Sequence, residues 1–289
     1  MRFQPRSFLF VPGDQKAKMA KAGSFGADAL ILDLEDAVAP DQKPAARQHV
    51  HQALVHEAGV DVFVRVNPAG TPWHEDDIRS VVCGGLRGVV LPKAESAGMI
   101  ADVDRRIREA EVAARLEPGT VELMVLVETA TGVLHAQEIA AAAPRVAFIA
   151  FGAYDFARDL DLRLTPSGEE LLVPRMAVVM AARAAGRTPV DTVFADLRDT
   201  AGFADDCRRA RNLGFAGKMV IHPNQVATIH LHFSPTKKEL DDARRVVEAF
   251  DRAEADGLAA ITVDGKLVDY PIAAQKRTLL ARGRALGIE

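Results

Sequence analysis

Short, nearly continuous apolar runs recur along the chain at intervals of roughly 30 residues, the length of a strand–helix–strand unit. They read SFLFV (7–11), ALILDL (29–34), VFVRV (62–66), GVVLP (88–92), LMVLV (123–127), VAFIAF (146–151), VDTVF (190–194) and GKMVI (217–221). Runs of this kind, β-branched and without polar alternation, suit parallel strands buried on both faces. The stretches between them carry Ala, Arg and Glu at helical spacing, as in ADVDRRIREAEVAARL (101–116) and TAGFADDCRRARNLG (200–214). Eight strands alternating with helices close most economically into an α/β fold of the (β/α)₈ TIM-barrel type, expected over residues 1–235. A doubly wound open sheet is the competing architecture.

A C-terminal extension, 236–289, remains after the eighth strand. TKKELDDARRVVEAFDRAEADG (236–257) has the pattern of a charged amphipathic helix. ITVDGKLVDYP (261–271) predicts a hairpin turning at Asp264-Gly265, and AAQKRTLLARGRALG a closing helix. A barrel does not need these residues, so they are expected to cap the active site or to reach a neighbouring subunit.

Composition narrows the class. Apolar residues make up 48% and charged residues 26% of 289, enough for a sizeable core. A net charge of −4 argues against a nucleic-acid surface, which needs a clustered basic excess. No 18-residue apolar run is present to span a bilayer, and the apolar part of MRFQPRSFLFVPG is too short for a secretory signal. Cys83 and Cys207 stand alone, implying neither a disulfide framework nor a cysteine metal site. These features predict a cytoplasmic protein without nucleic-acid or membrane partners.

In such barrels catalytic groups sit where each strand runs into its following loop. Here the tips carry Asp33, Glu35 and Asp36; Arg65 and Asn67; Lys93 and Glu95; Glu128; Asp155; and His222 with Asn224. Helix N-caps also follow strands, but they favour Asp, Asn, Ser and Thr rather than Glu, Arg, Lys and His. Glu128 and Asp155 occupy adjacent tips and are placed to share one ion. An all-oxygen site with two protein ligands suits Mg²⁺, which keeps several waters. Glu35 and Asp36 are then placed to hydrogen-bond those waters. The alternatives are an N-cap for Asp155 and a surface charge for Glu128. Arg65 interrupts an apolar strand, and a buried guanidinium must be paired. Its fork suits a substrate carboxylate, or an ion pair with Asp33 or Glu35 across neighbouring strands.

The ordered motifs PRSFLFVPGD, ALILDLEDAV, VRVN, GVVLPKAE, VETATG, FGAYDFARDL and GKMVIHPNQV resemble the citrate-lyase β-subunit-like family of CoA-ester lyases, relatives of malyl-CoA and citramalyl-CoA lyases. The resemblance covers the whole chain, and VDGKLVDYPIAAQ is similar to the family's C-terminal segment. It implies a Mg²⁺-dependent homotrimer that cleaves a β-hydroxyacyl thioester to acetyl-CoA and a 2-oxo acid. By resemblance Glu128 and Asp155 hold the ion, Arg65 binds the keto-acid carboxylate, and backbone N–H groups near Gly132 add donors. The family's acid/base, an aspartate supplied by a neighbouring subunit, maps onto Asp269; the alternatives are that Asp269 only closes the hairpin, or that Asp264 takes the role. CoA phosphates would need cations, for which Arg6, Lys16, Lys18 and Lys21 are candidates; Lys93 is a substrate-binding candidate, and His222 and Asn224 would border the pantetheine arm. Tyr154, where relatives carry a small or polar residue, is expected to narrow the acyl pocket. Two other readings stay open: a citrate lyase complex subunit working on a carrier-bound thioester, and a CoA-independent metal aldolase.

Several tempting features carry no assignment. His49, His51 and His56 lack a carboxylate at metal spacing and are expected to face solvent on a helix. His230 and His232 follow the last strand, away from the tips. CGGLRG (83–88) lacks the strand-then-helix setting of a dinucleotide fingerprint, and Trp73 is expected to anchor a loop.

Overall fold

A computed structural model describes residues 4–56 and 59–288. The chain divides into two compact units at His230/Leu231, a few residues before the expected 235/236 boundary and inside the helix Val226–Phe233.

The first unit is a closed barrel of eight parallel strands in sequence order. They are β1 (Ser7–Pro12), β2 (Ala29–Asp33), β3 (Asp61–Arg65), β4 (Gly88–Leu91), β5 (Glu122–Val127), β6 (Val146–Phe151), β7 (Thr188–Asp191) and β8 (Gly217–Val220). β8 closes on β1 with Phe8 opposite Met219. Seven strands fall within a residue or so of their apolar runs. The exception is β7, expected over 190–194, which starts earlier and includes Pro189. A proline inside a run reads as a strand boundary because it cannot donate to the ladder. Here its carbonyl accepts from Ala216 instead.

Strand side chains alternate with period two, and the inward ones fill the barrel. Phe8, Phe63 and Phe148 meet edge to face in a central trio, with ring centroids 5.5–5.8 Å apart. Ile31, Val90, Met124, Leu126, Ala150 and Met219 pack with them. Below this layer the guanidinium of buried Arg87 lies over Phe63 and Phe148 and pairs with Asp61 and Glu122. Buried Arg145 similarly pairs with Asp104 and Glu111. At the N-terminal end of the barrel both of these buried guanidinium groups are thus paired with carboxylates.

The second unit has its own small core of Phe250, Val268 and Ala273. Thr236 and Glu239 form a reciprocal capping box at the start of the helix Lys237–Ala255. The strands β9 (Ala260–Val263) and β10 (Lys266–Asp269) make the expected hairpin, with Asp264 and Gly265 at φ 51° and 75°. Among the described residues no helix is long and apolar enough to cross a membrane.

Candidate active site

The parity that buries Ile31, Phe63, Leu126 and Ala150 carries two residues further to Asp33, Arg65, Glu128 and Gly152. At the C-terminal end of the barrel the inward row therefore changes from apolar to ionic. Asp33 and Arg65 are register partners on β2 and β3. Arg65 donates from Nε to Asp33 Oδ1 at 2.7 Å and from Nη2 to Oδ2 at 2.6 Å. Asp33 also accepts the backbone N–H groups of Glu35 and Ala37. Burial works against ionisation of Asp33, but the charge and hydrogen bonds of Arg65 outweigh it and hold the carboxyl below its usual range. The Arg65 guanidinium lies over the Phe10 ring, 4.8 Å from its centroid.

Arg65 thus spends its fork on Asp33, which realises the cross-strand ion pair. What remains is Nη1, 2.9 Å from Glu35 Oε2 and 3.8 Å from exposed Asp36. Glu35 Oε2 is buried and makes no hydrogen bond of good geometry, while Oε1 accepts from Lys93 Nζ at 2.5 Å. Burial lifts the Glu35 carboxyl above its usual range despite Arg65 and Lys93.

Glu128 follows β5 and is 3% exposed. Its Oε1 accepts the backbone N–H of Lys93 at 2.8 Å. Burial first, then the neighbouring charges of Asp155 and Glu35, push it up to about 8. Gly152, at the tip of β6, makes this packing possible: a Cβ there would lie 2.4 Å from Glu128 Oε2. Asp155 sits in the first turn of the helix Ala153–Asp159, whose N-cap is Gly152, so capping is not its role. One of its oxygens accepts from Arg158 at 2.6 Å. Among the described residues no three carboxylate, imidazole or thiolate groups form a ready-made metal cage. The donor set is two carboxylates, one of them pushed toward its protonated form by burial and then by like charge. That fits a hard divalent cation completed by water and substrate oxygens.

Other candidates scatter. Gly132 donates its N–H at 3.0 Å to Oγ1 of Thr129, the N-cap of the helix Ala130–Leu134. Arg6 precedes β1, at the opposite end of a six-residue strand, about 20 Å from the tips. It is bound there by both oxygens of Asp28, apart from the other candidate cations. His230 shares that end, with Nε2 2.9 Å from Ser7 Oγ. Lys16, Lys18 and Lys21 lie exposed on the helix Lys16–Ala22 that leaves the β1 tip. His222 accepts the Asn224 N–H at Nδ1, and Asn224 is exposed. Tyr154 is 42% exposed and its hydroxyl accepts from Ala195 N; it borders a cavity of about 260 Å³ with Thr192 and Leu164. Asp269 caps the helix Tyr270–Ala285 by accepting the Ile272 N–H. His51 is exposed with its ring on Ser80 O, His49 is half-buried, and the side chain of His56 lies outside the described residues.

Sequence reading missed the supports. Lys43 is buried, and its Nζ donates to the carbonyls of Leu34 (2.9 Å) and Glu35 (2.7 Å) under the Trp73 ring. The signal available was a lysine opening a helix, where the dipole disfavours a cation. Asp77 accepts from Asn67 and Arg47, and Gln225 joins the β8 tip to Phe194 O. A cavity of about 390 Å³ opens beside Glu35 and Lys93, lined also by Pro40, Lys43, Pro68 and Trp73.

The HpcH/HpaI aldolase/citrate lyase profile matches residues 6–223. The chain belongs to that family. It is 40% identical to citrate lyase subunit beta of Escherichia coli over 285 residues, 98% of this chain and 94% of that protein. It is 36% identical to a (3S)-malyl-CoA thioesterase of Cereibacter sphaeroides, covering 97% and 95%. A crystal structure of CitE from Mycobacterium tuberculosis with magnesium, acetoacetate and coenzyme A superposes with a TM-score of 0.79 at 32% identity, covering 96% and 98%. Family membership makes this chain an enzyme of the aldolase/lyase class, and the expected barrel is the one found.

Proposed function

We propose that the chain is a Mg²⁺-dependent carbon–carbon lyase that cleaves a citramalyl-, malyl- or citryl-type CoA thioester to acetyl-CoA and a 2-oxo acid. The observation that carries this reading is Glu128, buried at the C-terminal end of the barrel with one backbone N–H partner and crowded by the charges of Asp155 and Glu35, which with burial push it up to about 8. Such crowding of carboxylates costs free energy that a bound divalent cation relieves. Glu128 and Asp155 would hold the ion, which when bound supplies Lewis acidity toward the β-hydroxyl and carboxylate of the substrate.

The remaining roles fall to side chains at the same tips. Arg65, fixed by Asp33, offers Nη1 to the carboxylate of the oxo-acid half. In cleavage the hydroxyl loses its proton and becomes the carbonyl of the 2-oxo acid. The electron pair of the carbon–carbon bond passes to the thioester enolate, and the enolate carbon takes up a proton. Asp269, supplied from a neighbouring copy in a homotrimer, is the proposed acid/base. Lys16, Lys18 and Lys21 remain candidates for the CoA phosphates, and His222 and Asn224 for the pantetheine arm. The likeness to citrate lyase subunit beta supports a second reading, in which the thioester is carried by an acyl-carrier partner.

The test is acetyl-CoA release from citramalyl-, malyl- and citryl-CoA, with Mg²⁺ and with excess EDTA, by wild type and Glu128→Ala. EDTA-sensitive release abolished in Glu128→Ala is expected. Release of free CoA with an intact hydroxy acid would instead indicate thioester hydrolysis. No turnover of any CoA ester by Mg²⁺-bound protein would sink the leading reading in favour of the carrier-bound thioester or a CoA-independent aldolase.

A further inference from the structure

Four described non-glycine residues have positive φ: Lys93, Arg115, Asp161 and Asp264. Arg115 and Asp161 follow the ends of helices, and Asp264 turns the hairpin, where left-handed backbone is ordinary. Lys93, at φ 52°, stands apart because it sits at the tip of β4. A lysine in this conformation is strained, and such strain persists only where surroundings over-determine it. Here they do. The left-handed turn directs the Lys93 N–H to Glu128 Oε1 at 2.8 Å, and the next N–H, of Ala94, to Leu126 O at 3.1 Å. Gly132 permits the approach: a Cβ there would lie 2.5 Å from Ala94 O. The same residue's ammonium crosses to Glu35 Oε1 at 2.5 Å. One residue therefore ties the tips of β2, β4 and β5, by backbone to one carboxylate and by side chain to another.

We propose that Lys93 is a positioning residue with two separable halves: its left-handed backbone sets Glu128 to receive the divalent cation, and its ammonium holds Glu35 beside Arg65. The inference rests on the reading of Glu128 as an ion ligand.

The two halves predict different orderings among substitutions. Glycine and asparagine tolerate positive φ and keep the N–H, but lack the cation; arginine shares lysine's backbone penalty and keeps the cation that ties it to Glu35; alanine shares the penalty and has nothing to tie it down. Titration calorimetry with Mg²⁺ alone, on metal-stripped protein, should give Lys93→Gly, Lys93→Asn and Lys93→Arg dissociation constants close to wild type. Lys93→Ala should bind Mg²⁺ about tenfold more weakly or worse, as for other supports of metal ligands. The KM for the thioester should instead follow charge, rising together in the glycine, asparagine and alanine variants and recovering in Lys93→Arg. Melting temperatures accompany both series; if Lys93→Ala fails to fold, the glycine and asparagine variants still decide the backbone half.

Mg²⁺ affinity that falls equally in all three uncharged variants overturns the proposal, because the ammonium alone would then matter. A wild type that binds Mg²⁺ but cleaves no thioester sinks the lyase reading and leaves the backbone half standing. A wild type that binds no Mg²⁺ overturns both.

Discussion

Two buried glutamates in this barrel have opposite electrostatic fates. Glu111, at the N-terminal end, accepts the backbone N–H groups of Gly119 and Val121 and two N–H bonds from Arg145. Burial opposes its charge, yet these partners prevail and its carboxyl stays below the usual range. Glu128, at the C-terminal end, accepts one backbone N–H and faces Asp155 and Glu35, and it is pushed up to about 8. Both side chains are almost wholly hidden from solvent; Glu128 sits deeper and is far less well satisfied. The quartet of Arg175, Asp191, Asp206 and Lys218, between strands and helices, belongs with Glu111: every charge has an opposite partner within 3.0 Å. A fold that neutralises its buried charges elsewhere and leaves them crowded at one face has reserved that face for a ligand.

The largest expected effect breaks the comparison at its two ends. Glu128→Gln should lower acetyl-CoA release by about 10³-fold, as loss of an ion ligand removes several kcal/mol of stabilisation in the transition state. Its melting temperature should hold or rise. Glu111→Gln should do the reverse, costing about 1–3 kcal/mol of stability by weakening two bonds to Arg145, which keeps Asp104 and the Val121 carbonyl, while activity per folded molecule persists. Denaturant melts and initial rates on both variants check the pair. Equal loss of stability in the two would erase the distinction.

Gly152→Ala sharpens it next. The added Cβ would fall 2.4 Å from Glu128 Oε2 and 2.5 Å from Glu128 Cβ, so Glu128 must move. Mg²⁺ affinity should drop about 10–100-fold, and overpacking should cost about 1–3 kcal/mol. Unchanged affinity in a titration would show that the position of Glu128 does not matter.

The pH response carries opposite signs. For Glu128 the folded value, about 8, lies above the ordinary 4.5, so the native state binds the extra proton. Its contribution is complete below the ordinary value and is lost as pH rises through about 8. Glu111, lowered on folding, contributes above its ordinary value and loses that contribution as pH falls through its folded one. Metal-stripped protein should therefore lose stability between pH 4.5 and about 8, and Glu128→Gln should flatten that slope. In the same window Mg²⁺ binding should release a proton, read from calorimetry in two buffers of different ionisation enthalpy. The smallest effect is expected from Tyr154→Phe, which removes one partly exposed hydrogen bond to Ala195 and should change stability by no more than about 1 kcal/mol.

The chain's own pattern determined the barrel and much of the tip inventory, because both rest on local periodicity. Buried parallel strands read as apolar runs wherever they occur. Parity within a strand then sends Asp33, Arg65 and Glu128 inward after Ile31, Phe63 and Leu126. Pairing was decided only in three dimensions. The register that sets Asp33 opposite Arg65 joins segments 32 residues apart and takes the Arg65 fork from the substrate. Lys93 reads from sequence as a substrate-binding candidate, and the sequence carries no sign of the backbone angle that brings its N–H to Glu128. Arg6 lies six residues upstream of Pro12 in sequence and at the other end of the barrel in space. Alternation is a property of a few consecutive residues, whereas the energy of a charge depends on every group that folding brings around it.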